Sequence, residues 1–308
     1  MILSNTVFIL GAGMSNCYGY PTGLQLREEI INKSTDKKFE EHFTWEKGID
    51  PVDLKDFFNR FKYSRCYSID QFLALQNKEV FFNISKFLIT DILISYENPN
   101  ELFPSNKIMP YDLIWNQMIY SDGKITVDLE MLAKNDISFI TFNYDRTLEY
   151  FLFNVIKNTY FINGLKASEF LKNIPIIHVY DSLIDYSISL SAHFKSFDYQ
   201  VREHSIREIE SLSKNLDFMR ANEIQKESKN AVDLLHQAHN VIILGFGFDD
   251  FNINKVNLIL QNKIVFASCK GLSKSRQANI KNKIANQSSI HFEDEISDVL
   301  GTAFLNIS

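Results

Sequence analysis

The chain has 308 residues, 45% hydrophobic and 23% charged, a balance ordinary for a soluble globular protein with a real core. Its formal net charge of -6 gives no global pull toward nucleic acid or an anionic membrane. Cys17, Cys66 and Cys269 lie far apart and form no CxxC pair, which excludes a zinc site of the usual spacing and fits a reducing cytoplasm. No apolar stretch approaches the ~20 residues of a membrane helix.

The first apolar run, TVFIL (6–10), reads as a buried strand rather than a signal peptide, since no basic segment precedes it and no small-residue cleavage site follows. It breaks into glycines at FILGAGMSNCYGYPTG (8–23). Residues 36–134 then read as a helical module. Ser68-Ile69-Asp70-Gln71 resembles a capping box that opens one long helical pattern from Phe72 to Ile92, and Pro99, Pro104 and Pro110 mark loops after it. Further strands are expected at ISFITF (137–142), IPIIHVY (174–180), NVIILGF (240–246), KIVFAS (263–268) and SIHF (289–292). Leu148, Phe151, Leu152 and Val155 trace one face of a helix after the first of these, and FNINKVNLIL follows Asp250. The segment 200–239 is helical by pattern, polar enough to lie on the surface or to support an oligomer. Short continuous apolar runs alternating with helices predict an α/β fold: a doubly wound, Rossmann-like, mostly parallel sheet with an inserted helical module. The 26 Phe and 13 Tyr read first as core, with an interface to a partner chain as their other use.

Four motifs carry candidate chemistry. Gly11-Ala12-Gly13-Met14-Ser15, with Pro21-Thr22-Gly23 beyond it, is either a tight turn or a loop whose amides bind pyrophosphate, Ser15 adding a hydroxyl. Asn16 stands where a redox dinucleotide loop has its third glycine, and the GK[ST] of a P-loop is missing. Thr141-Phe142-Asn143-Tyr144-Asp145 places polar groups at a strand end, where helix capping is one reading and ligand binding the other. His178 inside an apolar strand is either a satisfied core histidine or a base near the strand's carboxyl end. Gly245-Phe246-Gly247-Phe248-Asp249-Asp250 is a second glycine corner, whose Asp249 either caps a helix or accepts from ribose hydroxyls.

In this order the four motifs resemble the sirtuin-like family, with its GAG-x-S loop, strand-end Asn-x-Asp, strand His and late glycine corner. The Asn-Tyr-Asp form and the Pro-Thr-Gly after the first loop look more like the divergent bacterial branch, NAD-cleaving effectors of antiphage defence, than the protein deacylases. Deacylases carry Pro-Asp-Phe-Arg after the first loop, paired zinc cysteines, Gly after the His and Ser in the late corner. Here Pro21-Thr22-Gly23-Leu24, no cysteine pair, Val179 and Gly247 stand instead.

The resemblance implies a single catalytic unit, with a nucleotide-binding core of about 1–35 plus 135–308 and the helical insertion of about 36–134. It implies cytoplasmic NAD+ hydrolysis with NAD as substrate and no metal. Asn143, Asp145 and His178 are the expected catalytic residues. Gly11, Ala12, Gly13, Ser15, Pro21, Thr141, Tyr144, Gly245, Gly247 and Asp249 are the expected contacts to the dinucleotide. An unregulated NAD hydrolase poisons its host, so a companion protein (an ATPase or a nucleotide-processing or sensing subunit) or homo- or hetero-oligomer assembly is expected as a switch. A non-catalytic NAD or ADP-ribose sensor, a deacylase and a Rossmann oxidoreductase are the rival readings.

Overall fold

The apolar runs become strands because helices cover the sheet on both faces, so a run without polar alternation is stable there. The computed structural model describes residues 1–121, 124–125, 128–216, 226–285 and 290–307. In chain order the strands are β1 (Thr6–Leu10), β2 (Tyr120–Ser121), β3 (Lys124–Ile125), β4 (Ile137–Thr141), β5 (Ile176–His178), β6 (Asn240–Leu244), β7 (Ile264–Ser268) and β8 (Ile290–Glu293). β2 and β3 form a small antiparallel ladder of their own. The other six make one sheet in the order β5-β4-β1-β6-β7-β8, with every neighbouring pair parallel. Counted along the chain within that sheet, the order is 3-2-1-4-5-6, that of the doubly wound dinucleotide-binding folds. The three central strands, β1, β4 and β6, are buried at every position. The topological switch point falls between β1 and β6, where such folds hold ligands beyond the strands' carboxyl ends.

Local chemistry trims several expected elements. The strand expected at 174–180 pairs only over Ile176–His178, as an edge strand beside β4. Pro175 has no N–H for the ladder, and after His178 the chain turns away, with Asp181 at a φ of 70°. Pro99 and Pro110 are not in loops; each occupies the first position of a helix, Pro99–Leu102 and Pro110–Ile119, where a missing N–H costs nothing. The helix expected from Phe72 to Ile92 is two, Ile69–Leu73 and Glu79–Ser95. At the end of the first, the Leu75 and Gln76 amides bond three residues back, to Phe72 (3.1 Å) and Leu73 (2.9 Å), and the Gln76 side-chain amide also reaches the Phe72 carbonyl (3.3 Å). The box at its start is half formed. Ser68 Oγ accepts from the Gln71 amide (3.2 Å), but Gln71 Oε1 accepts from Tyr67 N–H rather than from Ser68.

The helices between β1 and β4 add an aromatic cluster to the core that also holds the sheet. Phe57 packs edge-on to Phe81 (ring centroids 5.5 Å) and Phe61 lies 5.0 Å from Phe72. Much of the phenylalanine excess is therefore core. In the 200–239 segment, Ile206–Ser213 and Lys226–Gln237 are helical, and Ile209 and Leu212 are buried; residues 217–225 lie outside the described residues.

One buried ion pair ties the module to the sheet. Arg146, fully buried just after the Asn-Tyr-Asp motif, makes a bidentate pair with buried Glu97, both bonds 2.7 Å. Its remaining donors reach the carbonyls of Phe197 (2.7 Å) and Asp198 (3.1 Å). His193 lies 2.9 Å from Arg146 Nη1; burial, with the guanidinium beside it, holds His193 down to about 4, so it stays neutral. Removing one partner leaves a buried charge uncompensated, whereas removing both does not. Glu97→Ala should therefore lower stability at neutral pH by about 3–5 kcal/mol in urea unfolding, and the double change Glu97→Leu/Arg146→Met by clearly less.

Candidate functional site

At the carboxyl ends of β1, β4 and β6 the sheet opens into a cleft of about 1580 Å³. That exceeds the roughly 300–1,000 Å³ typical of drug-sized ligands and leaves room for a dinucleotide. Gly11, Ala12, Gly13 and Ser15 line it from β1, Asn143, Tyr144 and Asp145 from β4, and Gly245, Gly247 and Asp249 from β6. Pro21 and Thr22 complete the first corner. The Thr22 side chain accepts from Gln25 N–H (3.4 Å), and Gln25 Oε1 accepts from Thr22 N–H (2.8 Å), so Pro-Thr-Gly here starts a helix.

The two glycine corners meet backbone to backbone. Gly13 N–H donates to the Gly245 carbonyl and Gly11 N–H to the Leu244 carbonyl, both at 2.9 Å. A Cβ on Gly245 would lie 2.1 Å from Met14 N, and its φ of +62° also favours glycine. A Cβ on Gly13 would lie 2.7 Å from Gly245 Cα. The loop amides expected to hold phosphate are therefore largely used by the protein. Met14 N–H goes to the Gly11 carbonyl (2.9 Å), and Ala12, first residue of the short helix Ala12–Asn16, keeps the amide with no intrahelical acceptor. Gly247 differs, because a Cβ there meets nothing within 4 Å and would project into open space.

Below the corners lies a directed chain of hydrogen bonds. Asn143 Nδ2 donates to the Gly11 carbonyl (3.1 Å) and to Ser15 Oγ (2.8 Å), and Ser15 Oγ donates to Asp145 Oδ2 (2.6 Å). Asp145 Oδ1 accepts from Thr147 N–H (3.0 Å). Both amide protons of Asn143 are thus used, which leaves Oδ1 to face a ligand. The Ser15 hydroxyl belongs to this chain rather than to a phosphate. Burial lifts the Asp145 pKa above its ordinary 3.8, against the pull of the Ser15 and Thr147 hydrogen bonds. Thr141 does not line the cleft; its Oγ1 accepts from Asn143 N–H (3.1 Å) and shapes the strand end.

His178 is also placed behind the cleft rather than in it, only 5% exposed. Its Nδ1 lies 2.8 Å from the Asn143 carbonyl, which can only accept, so Nδ1 carries a proton. Its Nε2 lies 2.7 Å from Glu149 Oε1, which also accepts from the Tyr186 hydroxyl (2.8 Å). Burial pulls the imidazole down, but the Glu149 charge and hydrogen bond outweigh it, and its pKa ends above 6.5. Burial likewise pushes Glu149 up, but His178 and Tyr186 outweigh that and hold it below 4.5. The pair is an imidazolium and a carboxylate with both ring nitrogens engaged. His178, expected as a base, is here turned away from the cleft and holds the Asn143 backbone.

Asp249 caps the helix Asp250–Lys255: Oδ1 accepts from Asn252 N–H (2.9 Å) and Oδ2 from Asn252 Nδ2 (2.6 Å). At the outer rim, Lys270 pairs with Glu295 (2.9 Å) and Lys283 with Asp250 (2.6 Å). The opposite wall, missed by sequence reasoning, comes from the helical module: Tyr67, Ser68, Asp70 and Gln71. The Tyr144 hydroxyl donates to Asp70 Oδ1. Burial, with the Asp249 charge adding to it, pushes Asp70 up to about 7. Ser68-Ile69-Asp70-Gln71 signals a helix start, and nothing in that signal says which way the cap faces. Glu149 was equally hidden, a single carboxylate among the apolar positions of one helix.

Neither a protein-family model nor a curated protein sequence matches the chain. Among the described residues no three His, Cys, Asp or Glu side chains gather as metal ligands, and no helix is long and apolar enough to cross a membrane.

Gly245→Ala should cost about 3 kcal/mol or more, because backbone atoms cannot yield to the new Cβ. Gly247→Ala should leave the melting temperature nearly unchanged while weakening ligand binding. The His178–Glu149 pair sets a pH window. The stability from Glu149 is present above 4.5 and lost as pH falls through its lowered value; that from His178 is present below 6.5 and lost as pH rises through its raised value. Relative to the double variant His178→Asn/Glu149→Gln, the wild type should gain most between these two values in denaturant titrations.

Proposed function

We propose that the chain cleaves NAD+ at the nicotinamide–ribose bond, giving nicotinamide and ADP-ribose. The observation that carries this reading is the pair of Asn143 and Asp145, held side by side through Ser15 on the floor of a cleft at the switch point. Nicotinamide leaves as a neutral molecule with the electron pair of the broken bond. The chemistry therefore asks less for acid catalysis than for stabilisation of a cationic ribose. Asp145, already oriented by two donors, supplies the carboxylate that stabilises this charge. Asn143 Oδ1 accepts from a ribose hydroxyl or from the attacking water. The Ala12 amide and the open face at Gly247 admit the diphosphate and the second ribose.

The oxidoreductase reading requires an acid ending the second strand of the sheet to hold the adenosine ribose. That strand, β4, runs instead into Phe142 and Asn143. A second reading, a non-catalytic NAD or ADP-ribose sensor, is favoured by one observation: the expected base, His178, is sealed behind the cleft. The order of the four motifs supports a wider role as a cytoplasmic NAD-depleting effector of antiphage defence, held at rest until a companion chain, oligomer assembly or a small signal releases it.

The protein is incubated with NAD+, alone and with cell lysate as a source of activator, while nicotinamide and ADP-ribose are followed by chromatography. Stoichiometric release of both is expected. Asn143→Ala and Asp145→Asn should each lower turnover by roughly 10²-fold or more. Thermal stabilisation by NAD+ without any consumption would replace the hydrolase with the sensor.

A further inference from the structure

We propose that Asp70, supplied by the helical module, is the general base of this site and takes the proton from the water that attacks the ribose C1′ carbon. The inference rests on the NAD-cleaving reading above. In the step, the C1′–N bond breaks with its electron pair leaving on nicotinamide. The water oxygen forms the C1′–O bond, its proton passes to the Asp70 carboxylate, and Asp70 later releases it to solvent.

The placement of the cleft's carboxylates selects Asp70. Asp145 is held from below by Ser15 and Thr147, and Asp249 has both oxygens on Asn252. Asp294, Glu295 and Asp298 lie exposed at the rim below β8. His178 has no free nitrogen and no access. Asp70 stands on the wall facing the strand ends, and its partner is Tyr144, the residue between Asn143 and Asp145. The hydrogen bond therefore locks a carboxylate of the module to the motif that would hold the ribose.

The surroundings of Asp70 suit a base working near neutrality. Ser68 lies on its own turn, and Tyr144 follows β4. From beyond β5, Tyr180 feels both Asp70 and Asp249, and its hydroxyl donates to Asn252. From the helix after β6, Asp249 repels the ionised form while Lys255 attracts it, and Asp181 shares the field of Lys255. Burial and Asp249 prevail, so Asp70 changes charge at about 7.

The test compares wild type, Asp70→Asn, Asp70→Glu and Tyr144→Phe in NAD+ cleavage across the neutral pH range. ADP-ribose affinity by calorimetry and thermal melting serve as controls for binding and folding. For wild type, kcat/KM should rise with pH through a limb near 7. Asp70→Asn should lower kcat by roughly 10²–10⁴-fold and abolish the limb while still melting cooperatively and binding ADP-ribose. Asp70→Glu should recover part of the rate. Tyr144→Phe removes a donor to the ionised carboxylate and should move the limb to higher pH. If wild type is active and Asp70→Asn keeps its rate and limb, the assignment of Asp70 alone falls. If Asp70→Asn loses ADP-ribose binding together with turnover, Asp70 is a binding residue and the proposal is overturned. If wild type binds ADP-ribose but never consumes NAD+, the hydrolase reading falls and the base with it.

Discussion

The Gly245 carbonyl sits 2.9 Å from the Gly13 amide with no side chain between the two corners, and this contact sets how closely the ends of β1 and β6 approach. Only glycine allows it, since a Cβ at either position would meet backbone rather than a side chain that could rotate away. With the corners locked, Ser15 is carried to the underside of the loop, where it meets Asn143 and Asp145 from the neighbouring strand. The glycines thus serve the fold before they serve any ligand. A phosphate would find the Gly11 and Gly13 amides already engaged, which places more of the recognition on the cleft's walls.

Two buried charge pairs flank that centre. His178 and Glu149 hold the Asn143 backbone from behind, and Arg146 and Glu97 clamp the residue after Asp145 to the helical module. Each pair carries a desolvation cost that only good geometry offsets: Arg146 reaches two further carbonyls, whereas Glu149 accepts from Tyr186 and His178 through Oε1 alone and its Oε2 is buried without a partner. Together they make the Asn-Tyr-Asp strand end a fixed platform, as an arrangement of preorganised charge requires. The module is then more than a decoration on the sheet, because Glu97 anchors it and Asp70 brings it into the cleft.

The fold was legible where burial is two-sided. Continuous apolar runs such as TVFIL and NVIIL carry their own message, and the strands appear within a residue or two of the runs. Legibility failed where local patterns admit more than one continuation. An apolar period through Phe72 to Ile92 is compatible with one helix or two, and the chain turns between them through bonds three residues back at Leu75 and Gln76. Proline marks a break in chain direction, yet the same residue at a helix's first position begins it, as Pro99 and Pro110 do. In the site, Asn143, Asp145 and the glycines were visible as motifs. The contacts that define their roles join positions more than a hundred residues apart, as Ser15 to Asp145 does.

What the sequence by itself determined is the sheet, the two glycine corners and the polar strand end between them, because each depends on short-range patterns of burial and backbone freedom. Tertiary structure alone decided which polar groups face the cleft. It turned His178 inward onto Glu149, spent Asp249 on a helix cap and brought Asp70 across from the inserted module to Tyr144. The reason is electrostatic and geometric. A side chain's charge and availability follow from partners brought near by packing, and those partners come from segments with no sequence proximity to the motif they complete.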